Sequence, residues 1–116
     1  IIHLRRDALF ETVIPSKLFE CMGMGIPVLH GVRGESAGIV AREGVGLTFE
    51  PGNAQELTEV LRKVSRDETL LAAFKSACVR AAPTYDRIHL ARRMLSFVES
   101  LAPRGSHKEH TVRTFE

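Results

Sequence analysis

The run Met24-Gly25-Ile26-Pro27-Val28-Leu29 constrains the fold more than any other stretch of this chain. Before it, Pro15–Met24 carries apolar residues at helical spacing, and Gly25 is the residue type that ends a helix in a left-handed turn. After it, Ile26–Leu29 is unbroken in apolar character. Such a run suits a strand buried on both faces, as in a parallel sheet covered by helices on either side. The same alternation continues on either side. Ile1–Leu4 reads as a strand, and Arg5–Ile14 as a loop with room for a short turn. Glu35–Arg42 reads as a helix closed by Gly44, and Gly46–Phe49 as a third strand.

Three helices complete the pattern. Pro51-Gly52-Asn53 is a turn, and Asn53 with Glu56 makes a capping box ahead of the stripe Leu57, Val60, Leu61 and Val64. Asp67 opens a helix with Leu70, Leu71, Phe74 and Cys78 on its inner face, broken at Pro83. Asp86–Leu101 is the last helix, with Ile88, Ala91, Leu95 and Val98 as a stripe expected to pack on its own domain. The fold class is therefore α/β: a partial, Rossmann-like parallel sheet of about three strands with flanking helices and a helical C-terminus. In such sheets ligands bind beyond the carboxyl ends of the strands. Arg5–Ile14, His30–Gly34 and the helix starts at Pro15 and Glu35 all fall on that edge.

Proline at the first helical position leaves the N–H groups of Ser16 and Lys17 pointing out of the helix, where partial positive charge favours an anion. Glu20, one turn further in, can accept hydrogen bonds from hydroxyls. Phosphate plus hydroxyls points to a nucleotide or a sugar joined to one. Lys17 and Glu20 also fit a solvated helix pair, and Glu35 a favourable acid in a first helical turn. His30 fits both a satisfied core residue and a polar group at the cleft.

Residues 11–28 resemble the donor-binding motif of GT-B-type retaining glycosyltransferases of family 4. That motif runs from an acid, through seven residues, to a second acid and Ala-Met-Ala-x-Gly-x-Pro-Val. Glu20 stands at the second acid, and Met22, Gly25, Pro27 and Val28 match the run behind it. Ile14-Pro15-Ser16-Lys17-x-x-Glu20 is similar to a bacterial subgroup that builds surface polysaccharides. Gly34-Glu35-Ser36-Ala37-Gly38 and Gly44–Asn53 extend the likeness, which spans residues 1–101. Thr12 stands where the first acid is usual, with Glu11 one position away.

The resemblance implies a donor-binding site made by Glu20 at the ribose, Ser16 and Lys17 at the diphosphate, and Thr12, Val13, Ile14, Gly34 and Glu35 around them. It implies a UDP-linked sugar as donor, a saccharide or lipid-linked acceptor, and an acceptor domain upstream of Ile1. No cofactor or metal is expected, and no catalytic side chain is assigned. Residues 1–102 are then the C-terminal part of a nucleotide-sugar-binding domain. Pro103-Arg104-Gly105-Ser106-His107 is similar to a vector linker, so 103–116 reads as a tail. A truncated, non-catalytic domain that binds a nucleotide or a partner is the alternative. A UDP-sugar 2-epimerase ranks below both, since its Ser-Gly-Gly-x-x-Glu-Glu and Glu-Arg-Pro-Glu signatures do not occur.

Composition narrows the partners. At 44% hydrophobic and 26% charged, the chain is ordinary for a globular domain. A net charge of +2, scattered basic residues, one Tyr and no Trp argue against nucleic acid. Cys21 and Cys78 have no metal-ligand spacing and read as reduced thiols of a cytoplasmic protein. Arg87, Arg92 and Arg93 beside an apolar stripe make the last helix a candidate for contact with the inner face of a membrane. The edge of Ile1–Leu4 is a candidate for pairing with a second copy.

Overall fold

The structure, a computed structural model, describes residues 1–101; the expected tail, 103–116, lies outside the described residues. Three parallel strands stand in the order β1 (Ile2–His3), β2 (Val28–Gly31), β3 (Gly46–Thr48). Ile2 pairs with His30, and Val28 and His30 with Gly46 and Thr48. Among the described strands β1 has β2 as its only neighbour. The connections carry α1 (Ala8–Glu11), α2 (Ser16–Gly23) and α3 (Glu35–Glu43). After β3 follow α4 (Ala54–Arg66), α5 (Glu68–Ala81), a 3-10 turn (Ala82–Tyr85) and α6 (Arg87–Leu101). This is the expected partial Rossmann-like arrangement.

The boundaries follow from where backbone groups find partners. Gly25, at φ +67°, closes α2: its N–H bonds to the Met22 carbonyl at 3.0 Å, and the Ile26 N–H reaches the Cys21 carbonyl at 2.8 Å. That paired closure takes Ile26 out of the sheet. The strand expected over Ile26–Leu29 therefore starts at Val28, whose N–H bonds to the Val45 carbonyl at 3.1 Å, and runs on to Gly31. Within the segment expected as a loop, Asp7 Oδ1 accepts from the Leu9 N–H at 3.0 Å, which starts the single turn of α1. Asn53 Oδ1 accepts from the Glu56 N–H at 3.1 Å, but Glu56 returns its carboxylate to the Glu50 N–H at 2.8 Å. The expected capping box is therefore half made, and its other half ties α4 to the end of β3.

The core lies where α2, α3 and α5 meet the sheet. Leu18, Met22, Val40, Val45 and Cys78 are fully buried there. On the other face His3 and Phe49 stack across β2 with ring centroids 5.9 Å apart. Gly31 lies between them, and a Cβ there would come within 2.3 Å of the Phe49 ring. α6 departs from expectation. Its main contacts are with the 3-10 turn alone, and every residue in it is exposed, so the stripe of Ile88, Ala91, Leu95 and Val98 stays uncovered. Asp86 caps the start of α6 by accepting the Ile88 and His89 N–H groups at 3.0 and 3.1 Å.

Two glycines differ in what surrounds them. Gly44 ends α3 at φ +64° with open space around a would-be Cβ, whereas Gly34 sits at φ +84° with that position 1.9 Å from the Glu11 carbonyl oxygen. Gly44→Ala is expected to cost about 1 kcal/mol, the strain of a left-handed alanine. Gly34→Ala should cost at least about 2 kcal/mol, since strain and a backbone clash combine. Urea unfolding of the two variants checks the order; equal losses would show that the loop at Glu11 yields freely.

Candidate functional site

The start of α2 is built as an open helix end. Pro15 has ψ 125°, so it flanks the helix as its cap rather than occupying the expected first helical position. Its carbonyl takes the Leu18 N–H at 3.0 Å, which leaves the Ser16 and Lys17 amides without intrahelical partners. Ser16 Oγ donates to Glu20 Oε1 at 3.4 Å, and Lys17 Nζ stands 3.7 Å from Glu20 Oε2. The Glu20 carboxylate is thus loosely bracketed and solvent-accessible. An exposed pair of this kind contributes only a few tenths of a kcal/mol to the helix, so a ligand hydroxyl can displace it at little cost.

Ile14, Ser16 and Glu20 line one side of a groove of about 770 Å³, in the size range of small-molecule sites. The opposite side comes from much later in the chain: Tyr85, Asp86 and Arg87 at the junction of the 3-10 turn with α6. Phe19 stacks on Tyr85 at 5.1 Å between centroids, which joins the two sides. The Tyr85 hydroxyl donates to Glu43 Oε1 at 2.7 Å and accepts from Arg42 Nη2 at 3.0 Å. Burial and the bond to Glu43 both push the Tyr85 phenol up from its ordinary pKa, so it stays a neutral donor. These three groove residues were missing from the sequence reading; the helix-capping position of Asp86 was the one local sign of the junction.

The remaining expected site residues lie elsewhere. Thr12 turns its hydroxyl back to the Leu9 carbonyl at 2.9 Å. Neither Thr12 nor Val13, Lys17, Gly34 or Glu35 lines the groove. Gly34 does meet the loop before α2 at Glu11, so two of the segments expected at the strand edge are in contact. Glu35 is exposed in the first turn of α3. Between these loops Arg33 grips Glu50, with Nε 3.0 Å from Oε2 and Nη2 2.6 Å from Oε1, while its Nη1 is 4.0 Å from Glu11. This hydrogen-bonded pair raises the Arg33 pKa. The space left beside it is about 10 Å³, roughly the size of one water. The crevice over the strand ends is closed at this point; a space of about 160 Å³ opens beside His3, Phe49 and Gly52, and the groove on the α2 side is larger.

His30 takes the core reading. It is fully buried in β2, with Nε2 2.9 Å from Ser36 Oγ and, among the described residues, no partner for Nδ1. Cys78 is also buried, with Sγ 3.7 Å from the Val45 carbonyl, and burial, then the neighbouring Cys21, push its thiol up. Neither is available as a nucleophile or base in the groove. Among the described residues no group of three His, Cys, Asp or Glu side chains is placed to hold a metal ion. Nor is any helix among them long and apolar enough to cross a membrane.

Comparison with known proteins leaves the site to be read from its own chemistry: no family model, curated protein or solved structure matches this chain.

Burial lowers the His30 pKa below its ordinary 6.5. The unfolded chain then binds a proton more readily than the folded one, so stability is retained above about pH 6.5 and falls as pH drops towards the folded-state value. Denaturant midpoints measured between pH 7.5 and 5 should show this loss, and His30→Gln should reduce it. An unchanged slope in the variant would place the titrating group elsewhere.

Proposed function

We propose that this chain forms the donor-binding part of a glycosyltransferase that moves a sugar from a nucleoside diphosphate sugar, UDP-linked, to a saccharide or lipid-linked acceptor. The observation that carries the reading is the pairing of an open helix start with an acid one turn deeper on the same groove: Ser16 and Glu20, both lining it. The uncommitted amides at Ser16 and Lys17 suit a diphosphate. Glu20 suits the vicinal hydroxyls of a ribose, and its loose bonds to Ser16 and Lys17 leave it free to accept them.

In this reading the groove binds and orients the donor. As the bond to the sugar breaks, negative charge grows on the departing diphosphate, and the fixed amide dipoles at the head of α2 stabilise it without rearranging. The attacking hydroxyl comes from the acceptor, whose binding surface lies outside the groove described here. A non-catalytic partner-binding role has one observation in its favour, the bare apolar side of α6; it requires no nucleotide.

The two roles separate on nucleotide binding. UDP is expected to bind the chain at about millimolar affinity, weak because the groove is open to water. Uridine should bind more weakly still. Glu20→Ala should weaken UDP binding about tenfold, the low end for a hydrogen bond to a charged group, with little loss of stability since the side chain is exposed. Titration by NMR reads both. Equal UDP affinity in the folded variant would remove Glu20 from the site.

A further inference from the structure

The geometry points to Arg87, rather than Lys17, as the cation that receives the phosphate of a nucleotide in the groove. This inference rests on the nucleotide-sugar reading and names the charged residue that its site would use. Lys17 was the expected partner of the phosphate, yet it does not line the groove, and its ammonium leans on Glu20 at 3.7 Å. Arg87 does line it. Within 4.0 Å Arg87 meets no carboxylate among the described residues.

Its backbone position is set by its neighbours. Arg87 is the first residue of α6. The residue before it, Asp86, is committed to the cap, with Oδ1 on the Ile88 and His89 N–H groups and its carbonyl on the Leu90 N–H at 2.9 Å. The turn that leads into this cap is held from the other side by the Tyr85 hydroxyl, between Arg42 and Glu43. The wall that carries Arg87 is therefore fastened to α3, and the wall that carries Ser16 and Glu20 is α2 itself. The two walls face each other across an open volume lined by two carboxylates, Glu20 and Asp86, and by one guanidinium that meets no carboxylate within 4.0 Å among the described residues. Asp86 gives Oδ1 to the cap and keeps Oδ2 and its charge beside Arg87. Glu20 is the acid whose bonds are loose enough to yield to hydroxyls, and a guanidinium forks onto phosphate oxygens.

The chemical class this selects is a nucleoside phosphate whose ribose lies towards Glu20 and whose phosphates lie between the head of α2 and Arg87. Nucleosides lack the anion, and inorganic diphosphate lacks the hydroxyls; each should bind more weakly than UDP.

The test is a chemical-shift titration of the full 116-residue chain, wild type, Arg87→Gln and Lys17→Gln, with UDP, uridine and diphosphate. Arg87→Gln is expected to lower UDP affinity about three- to fivefold, the size of a solvated charged contact, to leave uridine affinity unchanged, and to flatten the dependence of UDP affinity on salt. Lys17→Gln should change UDP affinity less than twofold. If Arg87→Gln binds UDP like wild type while Lys17→Gln loses it, the assignment to Arg87 is wrong and the nucleotide reading stands. If wild type shows no preference for UDP over uridine, both are wrong. Thermal melts of the variants confirm that each is folded; Arg87 is exposed and outside the core.

Discussion

The Tyr85 hydroxyl, bonded at once to Glu43 and Arg42, is the contact on which the shape of the groove depends. It joins the end of α3 to a turn that lies some forty residues later. Besides this contact, the 3-10 turn is held by the end of α5, by the stack on Phe19 and by the packing of Ala82 and Tyr85 on the core. A phenol in that position has a partly buried aromatic body and a polar tip with two charged partners, so it fixes distance and direction together. Phe19 then sets α2 against the same ring. One aromatic pair, polar at one end and apolar at the other, holds the two walls apart at ligand width.

The second constraint acts at the strand ends. The Arg33–Glu50 fork ties the β2–α3 connection to the β3–α4 connection, and the seat of Gly34 on the Glu11 carbonyl draws the β1–α2 and β2–α3 connections together. Parallel sheets leave a crevice at their carboxyl edge, and that crevice is the usual ligand site. Here the loops close over part of it, and the open volume is displaced to the side where α2 faces the junction with α6. Function is thus read from the α2 side, where an open helix start, an accessible acid and a guanidinium with no carboxylate partner among the described residues share one space.

Much of this was legible in the sequence because it is local. The stop at Gly25, the left-handed end at Gly44 and the caps at Asn53 and Asp67 are decided by residues within one turn of each other. So is the pairing of Lys17 with Glu20. What was not legible is tertiary. Phe19 and Tyr85 carry no mutual signal along the chain, so the far wall of the groove could not be named. The stripe on α6 shows that one side is apolar, but periodicity says nothing of what covers it, and here no described element does. His30 shows the same limit: an apolar flank left both readings open until Ser36, in the first turn of α3, proved to be its partner. The strand predicted at Ile26 slipped to Val28 because the helix closure claimed the Ile26 N–H first.

The claim at the centre of this account is that the groove between α2 and the start of α6, and not the crevice between the strand-end loops, receives a nucleotide. Backbone amide shifts of the labelled chain, followed as UDP is added, test it directly. The account predicts that the largest changes fall at Ser16–Glu20 and at Tyr85–Leu90, while Arg33–Glu35 and the Glu50 backbone stay nearly still. Changes centred on Arg33–Glu35, with the residues of the 3-10 turn and α6 unmoved, would contradict it.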